Sequence, residues 1–159
     1  MKIITLCGSN KFWEEFIHQN FIQTLNGNIV FTMGGFREII SIIGNDYSRY
    51  QNNGLKENYP YHEDITINIK HDISPEEKEL VDQVHLQKIR LSDEIFVINK
   101  YGYIGESTKR EMAFAFTKHK VVNFLEPELG DKYLEDNSHE MGQLVSKFMM
   151  AEYKRPEKR

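Results

Sequence analysis

The chain has 159 residues, 40% hydrophobic and 28% charged, with a formal net charge of −4 and a pI near 5.9. That length suits one domain with a single core, and the acidic balance gives no electrostatic case for a nucleic-acid polymer or an anionic membrane as partner. No run approaches the ~20 apolar residues of a membrane span, and a single cysteine, Cys7, rules out an intramolecular disulfide.

Residues 2–7, "KIITLC", are rich in β-branched side chains and stop at Gly8, which predicts a buried first strand with Cys7 as packing. The apolar segment is too short for a signal peptide, so a cytoplasmic protein is expected. Ser9 or Asn10 can cap a helix over about 10–25, with Phe12, Trp13, Phe16, Ile17, Phe21 and Ile22 as its apolar side and Asn26-Gly27 as its stop. "NIVFTMGG" (28–35) reads as a second strand ending in a glycine pair, and a short helix is expected at 36–43. Residues 45–72 lack periodicity and read as a functional loop or lid, with one small strand at 64–70.

The clearest helix is 74–92. Ser74 can cap it, Pro75 suits the first turn, and acidic residues follow where the helix dipole favours them. A third strand, "EIFVIN" (94–99), a helix at 106–118, a strand at 120–126 and a final amphipathic helix over about 136–152 complete the domain. In that last helix Met141, Leu144, Val145, Phe148 and Met149 share a side that suits either the core or an interface. Residues 153–159 form a basic, solvated tail. Alternating strands and helices predict an α/β fold, a parallel sheet with helices on both faces. Ligands of such sheets bind beyond the carboxyl ends of the strands.

Three strand ends carry distinctive residues: Gly8-Ser9-Asn10-Lys11, Gly34-Gly35, and Gly102 through Glu111. The first turn has one glycine rather than the dinucleotide fingerprint, and no Walker sequence is present. The six histidines follow no zinc spacing, and one cysteine is too few for a thiolate cluster, so no metal site is expected. His62 and His71 flank a stretch with Glu63 and Asp64, where a weak site is conceivable, but they read as solvated loop residues. Gly102 and Gly105 allow a tight turn and close approach to a ligand, and Ser107 and Thr108 offer hydroxyls and amides at a helix start. Glu111 lies about one helical turn further. It can serve as a nucleophile on an anomeric carbon, or Thr108-x-x-Glu111 can be a capping box. Asp82 and His85 share a helix face by their spacing and can form a proton-donating pair or a surface salt link, or His85 can pack on the core edge. Asp93, just before a strand, reads as a turn residue.

The blocks "LCGSNKF", "VDQVHLQKIRLSDEIFVIN" and "GYIGESTKREMAFAFTKHKVVNFLE", in that order, resemble the nucleoside 2-deoxyribosyltransferase superfamily, which includes the 2'-deoxynucleoside 5'-phosphate N-hydrolases. The resemblance covers residues 1–35 and 80–126. It implies a flavodoxin-like or Rossmann-like sheet, no cofactor, a homo-oligomer, and a small nucleoside or nucleotide as ligand. It also implies Glu111 as the catalytic nucleophile, with Asp82 or His85 near the leaving base. Gly8, Ser9 and Asn10 would line the sugar or phosphate, Gly105, Ser107 and Thr108 would line the 5' end, and Lys11, Gly34 and Gly102 would bind substrate with them. This sequence departs from the family pattern by placing Gly105 where a second acid stands in the transferases. A non-catalytic nucleotide-binding or sensor domain of the same fold is the alternative expectation. A phosphoribohydrolase is a third, although "GESTKRE" keeps only part of that group's signature.

Overall fold

In the computed structural model, residues 1–33 and 74–153 are described. Gly34, the expected helix 36–43, the loop 45–72 with its strand at 64–70, and the tail from 154 onward lie outside the described residues.

Four strands form one parallel sheet in the order β2-β1-β3-β4, with β1 at Ile3–Gly8, β2 at Ile29–Phe31, β3 at Glu94–Ile98 and β4 at Val121–Phe124. This order is that of a flavodoxin-like sheet, and its topological switch point falls between β1 and β3. The register pairs Cys7 with Val97 and Thr5 with Ile95.

The pleat divides the core. Strand residues alternate between faces, so Ile4, Leu6 and Ile98 pack with Phe16 of α1 (Trp13–Leu25) on one side. Cys7, Ile95, Val97 and Phe124 pack on the other. There they meet Ile89 of α2 (Pro75–Leu91), Met112 to Ala115 of α3 (Glu106–Thr117), and Met141 of α5 (Ser138–Tyr153). Leu6, Ile95, Val97 and Met112 are fully buried, and each such side chain stabilises the fold by about 1.5–3 kcal/mol. The expected α/β architecture, helices on both faces, is thus the one observed. No helix among the described residues is long and apolar enough to cross a membrane.

Local chemistry explains the element ends. Ser74 accepts from the Glu77 amide while the Glu77 carboxylate accepts from the Ser74 amide, a full capping box. Asp93 lies in the turn before β3, as expected, and its carboxylate accepts from the Ile3 amide at 2.7 Å, tying that turn to the first residue of β1. The first helix is divided, since Asn10–Phe12 is a 3-10 turn and the α-helix begins at Trp13. β2 is shorter than the expected 28–35, because its ladder to β1 ends at Phe31. A helix that sequence patterning left unassigned, α4 (Pro127–Asp136), precedes α5, which therefore starts at 138 rather than 136. On α5, Met141 is buried and Leu144, Val145 and Phe148 pack on the core, while Met149 is exposed; that side is mainly core.

α3 ends in a Schellman motif. The His119 amide donates to Phe116 O and the Lys120 amide to Ala115 O, with His119 at φ 53°. An L-residue in that conformation costs about 1–2 kcal/mol. His119→Gly should therefore raise the urea midpoint, by an amount equivalent to about 0.5–1 kcal/mol after the added unfolded-state entropy is discounted. An unchanged or lowered midpoint would contradict this account of the cap.

Candidate functional site

A cleft of about 450 Å³ opens at the carboxyl edge of the sheet, between the ends of β1 and β3 and the helices α2 and α3. Gly8, Ser9 and Asn10 form one wall, Gly105, Ser107, Thr108 and Glu111 a second, and Asp82 and His85 a third.

Each wall has a local cause. Gly8 ends β1 at φ 153°, and a Cβ there would come within 3.0 Å of Ile98 O, so the close approach of β1 to β3 requires glycine. Ser9 caps the 3-10 turn, accepting from the Lys11 amide at 3.4 Å. Gly105 is the N-cap of α3 and brings no side-chain cap, so the first amides of α3 are open to an anionic or hydroxyl-rich ligand. The helix thus starts earlier than a Thr108–Glu111 capping box requires. Both residues lie inside it and are buried, which overturns the capping reading.

Two predicted ligands are employed elsewhere. Lys11 Nζ sits 2.9 Å from the centroid of the Tyr103 ring and does not line the cleft. Gly102, at φ 71°, packs on Leu129 and donates to Asn99 O at 2.8 Å and to Glu126 Oε2 at 3.2 Å, so it shapes the turn rather than the cleft wall. Between these, the fully buried Asn99 side chain bridges the ends of β3 and β4. Its Nδ2 donates to Glu126 O, and its Oδ1 accepts from the Glu126 amide, both at 2.9 Å. Lys109 is held by Glu106 at 2.7 Å and by Glu140 of α5 at 3.0 Å, away from the cleft lining.

The Asp82–His85 pair expected from spacing does not form. Asp82 pairs with Lys78 at 2.9 Å. His85 turns inward, where its Nε2 lies 3.7 Å from Cys7 Sγ and 3.7 Å from Glu111 Oε1. The latter distance is beyond hydrogen-bond range. His85 and Glu111 are 4% and 8% exposed and Cys7 is fully buried. His85 Nδ1 and Glu111 Oε2 have no hydrogen-bond partner among the described residues.

Burial sets the charges. It pushes Glu111 up to about 8, and the Asp82 charge adds to that, while the Cys7 thiol, Arg110 and Lys78 oppose it. Burial, helped by Lys88, pulls His85 down to about 4 against the attraction of Asp82. Burial and the nearby Glu111 raise Cys7 well above its ordinary value. Across the neutral range these shifts leave Glu111 and His85 both uncharged, with the one proton of the pair on Glu111 and the His85 ring neutral. The ligand atoms of Cys7, His85 and Glu111 lie within 4.8 Å of one another, a grouping that can hold a metal ion.

Sequence reasoning placed Glu111 and His85 but gave Cys7 only a packing role. It also passed over Lys78, Val81 and Tyr103, which line the cleft. The available signal was the alternation of β1, which sets Cys7 on the same face as Thr5.

The arrangement defines a parallel α/β protein with a carboxylate-bearing cleft at its switch point. Comparison with protein-family models, curated proteins and solved structures gave no match to the chain.

Proposed function

We propose that this protein acts in the cytoplasm at the N-glycosidic bond of a nucleoside or nucleoside 5'-monophosphate, with Glu111 as nucleophile. The observation that carries the reading is a buried carboxylate, with one oxygen free of any described partner, in the wall of a cleft beside an uncapped helix start. The resemblance to the nucleoside 2-deoxyribosyltransferases supports it, and supports a homo-oligomer.

The single proton of the pair organises the chemistry. At rest it sits on Glu111; the reactive form is the minor one in which it has passed to His85, leaving Glu111 an anion ready to attack C1'. As the C1'–O bond forms and the C1'–N bond breaks, the carboxylate loses its charge. The imidazolium then loses its counter-charge and becomes a stronger acid, able to protonate the departing base. Water or a second base then takes the sugar from Glu111, giving hydrolysis or transfer. The amides at the start of α3 and the Gly8-Ser9-Asn10 turn hold the polar end of the ligand.

The test is chromatographic. Wild type and Glu111→Ala are incubated with nucleosides and 5'-monophosphates, with and without a second free base. Base released by wild type alone supports the proposal, and a new nucleoside identifies transfer. The kcat/KM profile should be bell-shaped, with limbs near 4 and 8, since only the singly protonated pair is competent. The burial that neutralises Glu111 favours one other reading, a nucleotide sensor. Saturable binding with the ligand recovered unchanged would select it.

A further inference from the structure

Cys7 Sγ and Glu111 Oε1 each lie 3.7 Å from the same atom, Nε2 of His85. In a nucleophile–base–acid relay the two partners engage opposite ring nitrogens. Here Nδ1 has no partner among the described residues. The three groups therefore form a triangle around a common point rather than a line. Tetrahedral zinc, with its sulfur ligand at ~2.3 Å and nitrogen and oxygen ligands at ~2.0–2.2 Å, holds ligand atoms about 3.4–3.6 Å apart. The two edges that meet at His85 Nε2 need contract by only a few tenths of an ångström, while the third, between Cys7 Sγ and the Glu111 carboxylate, lies within 4.8 Å and has up to about 1 Å to close, which rotation of the carboxylate can supply.

We propose that Cys7, His85 and Glu111 form a three-ligand site for a divalent transition metal of the zinc type, with its remaining coordination position facing the cleft. A thiolate, an imidazole and a carboxylate make a set of borderline softness, unlike the all-oxygen shells of magnesium or calcium. The ligands come from three packed elements, β1, α2 and α3, so the fold fixes their positions. Glu111 and His85 line the cleft and give the ion its entrance, with Cys7 buried behind them. The missing partner on His85 Nδ1 is the kind of loss that lowers metal affinity about 10- to 100-fold, so binding is reversible by chelators. A further consequence rests on the reading of Glu111 as nucleophile. A carboxylate bonded to the metal cannot attack C1', so zinc inhibits turnover.

Titration of metal-free wild type with Co(II) alone tests the site without reference to activity. The expected result is saturation at one ion per chain, with intense tetrahedral d–d bands and a thiolate charge-transfer band in the near ultraviolet, both abolished by Zn(II). Cys7→Ser should lose the charge-transfer band, and His85→Gln should bind at least about 10-fold more weakly. Substitution of the exposed His18 should change neither. A featureless or octahedral spectrum in wild type overturns the site, as does a charge-transfer band that survives in Cys7→Ser. Because wild type gives the primary readout, poor folding of a variant does not shield the proposal. Tight Zn(II) binding with full glycosidic turnover would keep the site and overturn its inhibitory role.

Discussion

Glu111→Gln is expected to lose glycosidic turnover and at the same time resist denaturation better at alkaline pH. The first effect follows from removing the attacking oxygen, and should lower kcat by at least about 10³-fold. The second follows from linkage. Above the ordinary histidine value of 6.5 the unfolded chain has released the protons of both His85 and Glu111, while the native pair keeps one until about 8. The folded state then binds more protons, so stability falls as pH rises. The interval corresponds to about 2 kcal/mol. With glutamine at 111 no proton is retained, and stability should stay level over the same range. Urea unfolding of both proteins at pH 6.5 and 8.0, in EDTA, measures this, and the partial ionisation of Cys7 in the unfolded chain is common to both and cancels from the comparison. Parallel loss in both would mean that Glu111 does not hold the proton.

Glycine-to-alanine substitution should have opposite signs at two helical positions. In α4, a Cβ on Gly130 would fall 2.2 Å from Phe124 Cγ and 2.5 Å and 2.6 Å from its Cδ atoms. Phe124 is 8% exposed and belongs to the core, so its ring has little room to retreat. Overpacking of this kind costs about 1–3 kcal/mol, against about 1 kcal/mol gained in helix propensity. Gly130→Ala should destabilise by up to about 2 kcal/mol net. In α5, a Cβ on Gly142 meets nothing within 4 Å among the described residues, and Gly142→Ala should stabilise by roughly 0.5–1 kcal/mol. Urea midpoints of the two variants decide it. Adding Phe124→Ala, which removes the obstructing Cγ and Cδ atoms, to Gly130→Ala should cost less than Phe124→Ala costs alone. Additive losses would show that the ring is not the obstacle.

These two glycines also show what the sequence made legible. The run from Ser74 to Glu77 contains its own cap, so α2 was readable from local chemistry. The β-branched strands were readable too, because alternation and burial follow from composition. α4 was hidden by Pro127 and Gly130, which resemble loop punctuation. Pro127 in fact occupies the tolerated first turn, and Gly130 answers to Phe124, a partner on another element. The candidate site divides in the same way. Glu111 was visible as a carboxylate on the helix after β3. His85 was visible, as a partner of Asp82 or as a histidine on the core edge, and its burial matches the second; its actual partners were hidden, because spacing within one helix reveals only neighbours on that helix. Its partners Cys7 and Glu111 come from β1 and α3, and no local pattern joins them.

The Asn99 side chain imitates a peptide group: it donates to and accepts from Glu126 as a further rung of the β3–β4 ladder would. That rung extends the pairing of β3 and β4 past their last ladder residues. β3, whose end borders the cleft, is therefore held from both sides, by its ladder to β1 and by this added rung to β4. His85 and Glu111 sit instead on separate helices, α2 and α3, so any displacement of one helix against the other alters the distance across which their proton must pass.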